Sequence, residues 1–222
     1  MKKYELLKDD TKIMLGRTLY RIKALRDFGD VTKGDLGGYI ESENNLSHYG
    51  NAWVYDNAMV CGNAWVHGNA WVHGNAEVRG DARVFGNAEV YGDARVCGDA
   101  MVYGDARVYG DARVFGDARV FGNAEVFGDA RVCGDAMVYG NARVCGDAMV
   151  NSEDDYIVFK NNWSSGRYFT YTKSNKMWKV GCFYGTGQEL IEKAYADSEL
   201  SGKCYESYVK LVEQLDEIQE VE

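Results

Sequence analysis

Histidines are the side chains of this chain best suited to general acid–base chemistry, and there are three: His48, His67 and His73. An imidazole works as a general base when a neighbouring group orients it. His67 and His73 occupy a repeated position that tyrosine or phenylalanine fills elsewhere, and no carboxylate falls predictably beside either. A catalytic residue in a repeat protein is expected to differ from the residues at equivalent positions of the other repeats. We therefore predict no catalytic, cofactor-binding or metal-binding residue, and we interpret the protein as a non-enzyme.

His67 and His73 belong to a six-residue repeat with the consensus Gly-(Asn/Asp)-Ala-x-Val-y, which fills 17 units from Gly50 to Asn151 without an insertion, whereas His48 precedes it. On a strand, Ala112 and Val114 point to one side while Arg113 points to the other. Glycine accepts a positive φ and Asn or Asp bonds nearby amides, so this pair predicts a turn. Three equal bends close a triangle of 18 residues. Stacked triangles then form a prism of roughly 28 Å, at about 4.8 Å per strand.

This repeat resembles the left-handed parallel β-helix of hexapeptide-repeat proteins, in which a small residue follows an aliphatic residue four positions later. Val114 with Ala118 and Val120 with Ala124 match that pattern, whereas the aromatic, Cys or His residue directly after each valine departs from it. The left-handed sense is implied by the resemblance alone. A period of six excludes a pentapeptide solenoid, which needs five residues, and a calcium-binding roll, which needs nine.

The family resemblance implies one enzymatic alternative, because many hexapeptide-repeat proteins are trimeric acyltransferases with a catalytic His and an acyl-CoA donor. In those relatives a loop usually interrupts the coils and carries or shelters the His. None of the 17 units is interrupted here. An acyltransferase that uses acyl-CoA therefore remains the alternative, and a non-catalytic binding or scaffold protein is the favoured interpretation.

Positions 18 residues apart form columns of like side chains. Cys61, Cys97 and Cys133 share a column at intervals of two coils, or about 9.6 Å, beyond the ~7 Å reach of a disulfide. Asp residues fill two further columns, where like charges repel. Arginines two residues along, such as Arg95 and Arg113, are the simplest compensation. A row of bound cations and mimicry of DNA are the alternatives.

The repeat is flanked by two segments of different composition, which predicts an N-terminal β cap at 1–45, a β-helix at 46–151 and a C-terminal α+β module at 152–222. The whole is therefore mainly β, a triangular solenoid with 18 residues per coil. Cap strands are expected at 12–15 and 18–25, around a turn at Gly16-Arg17. The module should contain strands at 156–159, 167–172 and 177–183, then helices at 187–195 and 203–217. The second helix carries an apolar stripe of Tyr205, Tyr208, Val209, Val212, Leu215 and Ile218.

Both flanking segments carry resemblances. Residues 20–25 and 34–40 resemble the leader of hexapeptide-repeat proteins common in bacteriophages and prophages, which implies a phage setting. Residues 178–187 are similar to a small ββα module of other phage proteins. Its Gly185-Thr186-Gly187 precedes a helix and would suit an anion, although a plain turn with Thr186 as N-cap is the favoured interpretation.

The net charge of −9 argues against non-specific binding to nucleic acid or to an anionic membrane. No apolar run approaches the ~20 residues of a membrane span, and residues 4–10 are too polar for the apolar core of an export signal. Widely spaced thiols suit a reducing compartment. We expect a cytoplasmic protein of a bacterial host.

One outward face, here called the third face, stands out because its residues are aromatic, Met, His or Arg, the types enriched in buried interfaces. It predicts a homo-oligomer, dimer or trimer, or the binding of a host protein complex, with interference with a host defence system as the most specific version. Stacking of aromatic rings between coils is the alternative explanation. The candidate interface residues are Trp65, His67, Phe85, Met101, Tyr103, Phe121, Met137 and Tyr139, beside Arg83 and Arg119.

A second candidate patch lies on another outward face, here called the first face, where Trp53, Tyr55, Trp71 and His73 fall on two adjacent coils. Elsewhere on that face the x position holds Glu or Arg, so the change to Trp has a local cause. Either the cap folds back over these residues, since Trp presents a large apolar area, or they form a recognition site. We favour packing under the cap.

Overall fold

The computed structural model describes residues 2–219, and the chain divides between Glu153 and Asp154 into two compact units. The first unit is a parallel β-solenoid of about six turns with 18 residues per turn. The predicted solenoid is therefore confirmed, and its left-handed sense stays a prediction. Its N-terminal strands are β1 (Tyr4–Met14), β2 (Arg17–Ala24) and β3 (Leu36–Ile40).

The repeat itself folds into 17 two-residue strands, one for each x-Val pair. They are β4 (Trp53–Val54), β5 (Met59–Val60), β6 (Trp65–Val66), β7 (Trp71–Val72), β8 (Glu77–Val78), β9 (Arg83–Val84), β10 (Glu89–Val90), β11 (Arg95–Val96), β12 (Met101–Val102), β13 (Arg107–Val108), β14 (Arg113–Val114), β15 (Arg119–Val120), β16 (Glu125–Val126), β17 (Arg131–Val132), β18 (Met137–Val138), β19 (Arg143–Val144) and β20 (Met149–Val150).

These strands form the three faces of the prism. The first face runs from β4 to β19, the second from β5 to β20 and the third from β6 to β18, each taking every third strand. Neighbouring strands pair in exact register, so that Val90 lies opposite Val108. Alanines 52–148 and valines 54–150 of the repeat all have no exposed surface. The predicted inward direction of Ala and Val is confirmed.

The turn between strands depends on a positive φ at the first position of each unit. Gly98, with φ +73°, is typical, and a Cβ there would stand 3.0 Å from the amide nitrogen of Gly116 in the next coil. Asp56 is the exception in the repeat and also has a positive φ, of 51°. Its Oδ2 accepts a hydrogen bond from the Gly74 amide at 3.0 Å, so the side chain compensates in part for the strained backbone.

The cap extends the second face. Strands β1 and β2 form an antiparallel hairpin, β2 pairs with β3, and β3 runs parallel to β5. The first strand is longer than the predicted 12–15, because a register shift between Leu7 and Thr11 interrupts its alternation and hides it in the sequence. The hairpin turn uses Leu15 and Gly16, with φ values of 51° and 74°, rather than Gly16-Arg17.

The second unit is a four-stranded antiparallel sheet followed by two helices. Its elements are β21 (Tyr156–Lys160), β22 (Tyr168–Thr172), β23 (Met177–Val180), β24 (Phe183–Gly185), α1 (Gly187–Asp197) and α2 (Glu199–Gln219). The predicted strand at 177–183 is instead a hairpin, because Gly181 takes a φ of 54° and reverses the chain.

The core of the second unit packs both helices on one side of the sheet, around Phe169, Tyr171 and Trp178. From the predicted stripe of α2, Tyr205, Val209 and Val212 are buried in this core. Leu215 and Ile218, which the periodicity also placed inside, are exposed to 38% and 63%. The apolar period of the helix thus continues beyond the residues that pack on the sheet.

Candidate functional site: the third face of the solenoid

The third face carries a continuous stack of aromatic rings at position y. Ring centroids of His67 and Phe85 lie 4.9 Å apart with an interplanar angle of 4°, and the stack continues through Tyr103 and Phe121 to Tyr139 at spacings of 4.9–5.3 Å. Exact strand register produces this spacing, because each ring repeats one coil away. Stacking between coils therefore accounts for the y column.

The same arrangement occurs on the first face, where His73, Tyr91, Tyr109 and Phe127 stack at 4.8–4.9 Å. A ring ladder is thus a property of position y rather than a mark of the third face. What distinguishes the third face is its x column, in strands β6 to β18.

The x column of the third face contains no acid, and its residues in order are Trp65, Arg83, Met101, Arg119 and Met137. On the other two faces arginines reach glutamates: Arg143 lies 2.7 Å from Glu125, and Arg95 lies 3.7 Å from Glu77. Neither Arg83 nor Arg119 forms an ion pair with any residue in the range 2–219. The third face therefore presents unneutralised arginines between apolar side chains.

Among the apolar side chains of this face, exposure is greatest at the two ends, where Trp65 is 42% and Tyr139 is 44% exposed. The side chains between them that belong to Met, Phe or Tyr are half-buried, whereas Arg83 and Arg119 are exposed. Trp65 stacks on the ring of His67 at 3.9 Å. The structure therefore brings all eight candidate interface residues together on one surface.

His67 lies within this stack, between the rings of Trp65 and Phe85. Burial lowers the pKa of His67, and the positive charge of Arg83 lowers this pKa further. Both effects favour the neutral imidazole, and its ring packs like the phenylalanine and tyrosine rings that follow it.

The second candidate patch is divided between buried and half-buried positions. Trp53 has no exposed surface, because Tyr4 and Phe28 of the cap pack against its ring at 6.0 and 5.3 Å. Tyr55 and Trp71 stand edge to face at 5.9 Å and are half-buried, as is His73. Trp53 thus serves as a seat for the cap, in line with the packing alternative.

The cap also buries a charged side chain that no sequence pattern indicated. Lys3 has no exposed surface, and its Nζ donates to the Ala52 carbonyl at 2.6 Å and lies over the Phe28 ring. Burial, followed by the charge of Arg26, lowers the pKa of Lys3 to about 8. Only the return of β1 over the first coil creates this environment.

His48 has both ring nitrogens engaged in the cap. Its Nδ1 accepts from the Lys3 amide at 3.2 Å, and its Nε2 lies 3.4 Å from a Glu43 carboxylate oxygen. The ring also stacks on Tyr4 at 4.4 Å. A base must have a ring nitrogen available to take a proton, so in this arrangement His48 fixes the cap rather than serving as a base.

The segment Gly185-Thr186-Gly187 forms a capping box at the start of α1. Thr186 Oγ1 accepts from the Glu189 amide, and Glu189 Oε2 accepts from the Thr186 amide at 2.8 Å. The carboxylate of Glu189 thus occupies the place that an external anion would take. The plain N-cap interpretation describes this turn.

The Asp columns carry hydrogen bonds to asparagines where the residue types alternate, as in Asn63 Nδ2 to Asp81 Oδ1 at 2.9 Å and Asn75 Nδ2 to Asp93 Oδ1 at 3.1 Å. The prediction that Arg95 neutralises the aspartates is wrong, because its closest acid is Glu77. Register explains this pairing, since Arg95 lies directly opposite Glu77 on the neighbouring strand. Within residues 2–219, no group of three or more His, Cys, Asp or Glu side chains could hold a metal ion.

Two further predictions concern thiols and membranes. No disulfide joins any of the six cysteines in the described part of the chain. Among residues 2–219, neither helix combines the length and the apolar character needed to cross a bilayer.

Comparison with known proteins supports the solenoid. A family model described as "YdcK Beta solenoid repeat" matches residues 52–68, 94–110, 106–122 and 130–145. The Escherichia coli (strain K12) protein named "Uncharacterized acetyltransferase YdcK" is 47% identical to this chain over 38 residues. That segment is 17% of this chain and only 12% of the relative. The match to the family model lies within the repeat.

Proposed function

We propose that this protein is a non-enzymatic binding scaffold whose third face takes a protein partner, with a second copy of the chain as the first candidate. The observation that carries the proposal is the acid-free x column of the third face, where Met101 and Met137 alternate with Arg83 and Arg119. Interface cores are enriched in Met, Arg and aromatic residues and depleted in Glu, Asp and Lys.

The ring ladder supplies a rigid base for such a surface. Stacked aromatic rings lose little side-chain entropy on binding, because their positions are already fixed by the coil. Trp65 and Tyr139, the most exposed rings, stand at the two ends, and both residue types are common among binding hot spots. The methionines between them have no part in the ladder and adapt to a partner's shape.

The test replaces Met101 and Met137 with glutamate. The other faces already contain Glu next to Arg in the neighbouring strand, as in Glu125 and Arg143, so the double variant should fold. Light scattering should show an oligomer for the wild type and a monomer for Met101→Glu with Met137→Glu, at a similar melting temperature. Arg113→Glu, which makes the same change in net charge on the second face, is the control and should stay oligomeric.

A wild type that is monomeric and retains no partner in affinity purification from a bacterial host would contradict the proposal. Retention of a host complex that is lost in the methionine double variant but kept in Arg113→Glu would support the heterologous version. The phage setting and interference with host defence follow from the resemblance of residues 20–40, and they are the most specific form of this proposal. A cytoplasmic location belongs to the same proposal.

Acyl transfer is the second candidate function, because the relative described above is named an acetyltransferase. Its catalytic group would have to be one of the three histidines, and each is engaged in stacking or in cap contacts. A melting temperature raised by acetyl-CoA, together with release of free CoA in the presence of an amine acceptor, would favour the acyltransferase. An unchanged melting temperature with no CoA release would support the scaffold.

A further inference from the structure

The C-terminal unit contains a cavity of about 380 Å³ that is formed by its own residues alone. Tyr171 and Trp178 of the sheet contribute an aromatic floor, and residues of α2 form the acidic rim. The cavity belongs to a different unit from the third face. Ligand binding in this cavity is therefore independent of partner binding by the third face.

The floor offers an unused hydrogen-bond donor. Trp178 is 98% buried, and its indole Nε1 has no hydrogen-bond partner among residues 2–219. Gly187 also lines the cavity, and a Cβ at Gly187 would lie 3.3 Å from Trp178 Nε1 and 2.6 Å from Val209 Cγ1. A side chain at this position would therefore press on Val209 and cover the N–H group, whereas glycine leaves the N–H group uncovered. A donor in the wall of a cavity bonds to water or to an acceptor atom of a ligand.

The rim carries three carboxylates, Glu213, Asp216 and Glu217, at helix spacings of three and four. Like charges at these spacings repel, and acidic groups near a helix C-terminus are also disfavoured by the helix dipole. No basic residue occupies the last turn of α2. The arrangement is therefore electrostatically unfavourable by itself, and a bound cation would relieve it.

One of these carboxylates is already engaged. The Tyr171 hydroxyl donates to Asp216 Oδ2 at 2.6 Å, and burial, then this hydrogen bond, holds the pKa of Tyr171 well above its usual range. Glu213 and Glu217 make no hydrogen bond or ion pair with a described residue. Lys176 also lines the cavity, so that one ammonium group stands against three carboxylates. A second cationic group would leave the rim closer to neutral.

We propose that this cavity binds an alkylammonium group on a ligand that also carries a hydrogen-bond acceptor, most simply a lysine side chain of a peptide. The ammonium group lies at Glu213 and Glu217, the methylenes pack on Tyr171 and Trp178, and the acceptor oxygen takes the Trp178 indole N–H. Aromatic rings beside carboxylates are a favourable environment for an organic cation. A free diamine shares the ammonium chemistry but offers no carbonyl acceptor.

The test is isothermal titration calorimetry on the full chain with three probes. These are Nα-acetyl-lysine methylamide, its neutral analogue Nα-acetyl-norleucine methylamide, and 1,5-diaminopentane. Glu213→Gln with Glu217→Gln should weaken binding of the lysine compound about tenfold, as expected for the loss of two ion pairs. Glu192→Gln with Glu199→Gln removes the same two charges outside the cavity, and it should leave the affinity unchanged.

Trp178→Phe separates the two sources of the ammonium group, because it removes the indole N–H but keeps an aromatic ring. It should weaken binding of the lysine compound several-fold and leave diaminopentane unaffected. Tighter binding of diaminopentane than of the lysine compound by the wild type would identify a free polyamine as the ligand and overturn the peptide version. Equal binding of the norleucine compound, no effect of the cavity double variant, or no heat at about 10 mM ligand would overturn the site itself.

Discussion

At the scale of single residues, the cap rather than the repeat holds the most perturbed groups of the first unit. Lys3 is a buried ammonium whose Nζ donates to the Ala52 carbonyl, and Arg26 near it has a buried Nε without a hydrogen-bond partner among the described residues. Tyr4 above them donates its hydroxyl to the Leu46 carbonyl at 2.7 Å. Burying these groups costs stability, and the contacts with Trp53 and Phe28 offset that cost.

The stability of the cap should therefore depend on pH through Lys3. Its pKa is about 8 in the folded state and 10.5 in the unfolded chain. Below pH 8 both states carry the charge, and the folded state bears the full cost of burial. As the pH rises from 8 toward 10, only the folded state loses its proton, so the unfolding free energy of the wild type should rise.

Urea unfolding of the wild type and of Lys3→Met at pH 7.5 and pH 10 checks this dependence. The wild type should gain about 2 kcal/mol relative to Lys3→Met over that interval, because methionine does not titrate. Parallel pH profiles for the two proteins would show that Lys3 keeps its ordinary pKa. Burial raises the pKa values of Tyr4 and Tyr39 in the cap, and because both proteins contain the same tyrosines, their titration affects both alike.

At the scale of the structural elements, the turns determine the path of the chain around each coil. Each strand has only two residues, so the direction of the chain is set by the Gly-(Asn/Asp) pair that follows. The amide of Asp93 donates to the Gly110 carbonyl of the next coil at 2.9 Å, and the equivalent bond recurs along the stack. The turns thus join the coils by hydrogen bonds just as the strands do, and there is little room for a Cβ between them.

Two glycine substitutions separate backbone strain from this crowding. Gly98→Ala and Gly140→Ala both place a Cβ at a positive φ, which costs about 1 kcal/mol. Only at Gly98 does the new Cβ meet the backbone of the next coil, at 3.0 Å, whereas nothing lies within 4 Å of a Cβ at Gly140. In chemical denaturation, the free energy of unfolding should therefore fall by about 1–3 kcal/mol more for Gly98→Ala than for Gly140→Ala. Equal losses of unfolding free energy in the two variants would mean that the next coil shifts to accommodate the new Cβ at position 98 without a measurable loss of stability.

At the scale of the whole molecule, the first unit is a one-dimensional stack in which every coil contacts its neighbours. In the middle of the stack the inward side chains are alanines and valines only, with Val108 placed between Val90 and Val126. Such an interior has no polar group to receive a charge. Disruption of one coil in the middle removes support from both sides.

Val108→Asp should therefore abolish folding of the solenoid, because it buries an unpaired carboxylate in the centre of the stack. Arg107→Ala is the matched control at the adjacent position. The Arg107 side chain is 52% exposed and its Nε lies 3.8 Å from Glu89, so its loss should cost less than about 1 kcal/mol. Circular dichroism on heating checks both variants. Similar melting temperatures would reverse the assignment of inside and outside.

The period of six by itself determined the solenoid, the inward direction of Ala112 and Val114, and the columns that bring Trp65 to Tyr139 onto one face. Because the sequence repeats, every unit adopts the same backbone conformation and the same side-chain directions. Parallel register then aligns equivalent residues along the stack, so the pattern can be derived from local sequence alone. Tertiary structure decided what does not repeat. Trp53 lies under Tyr4 and Phe28, and Lys3 bonds to the Ala52 carbonyl, because separate segments fold back on one another. For the same reason Glu213 and Trp178 line one cavity. Such contacts depend on packing between residues far apart in the chain, and no local pattern of charge or polarity records them.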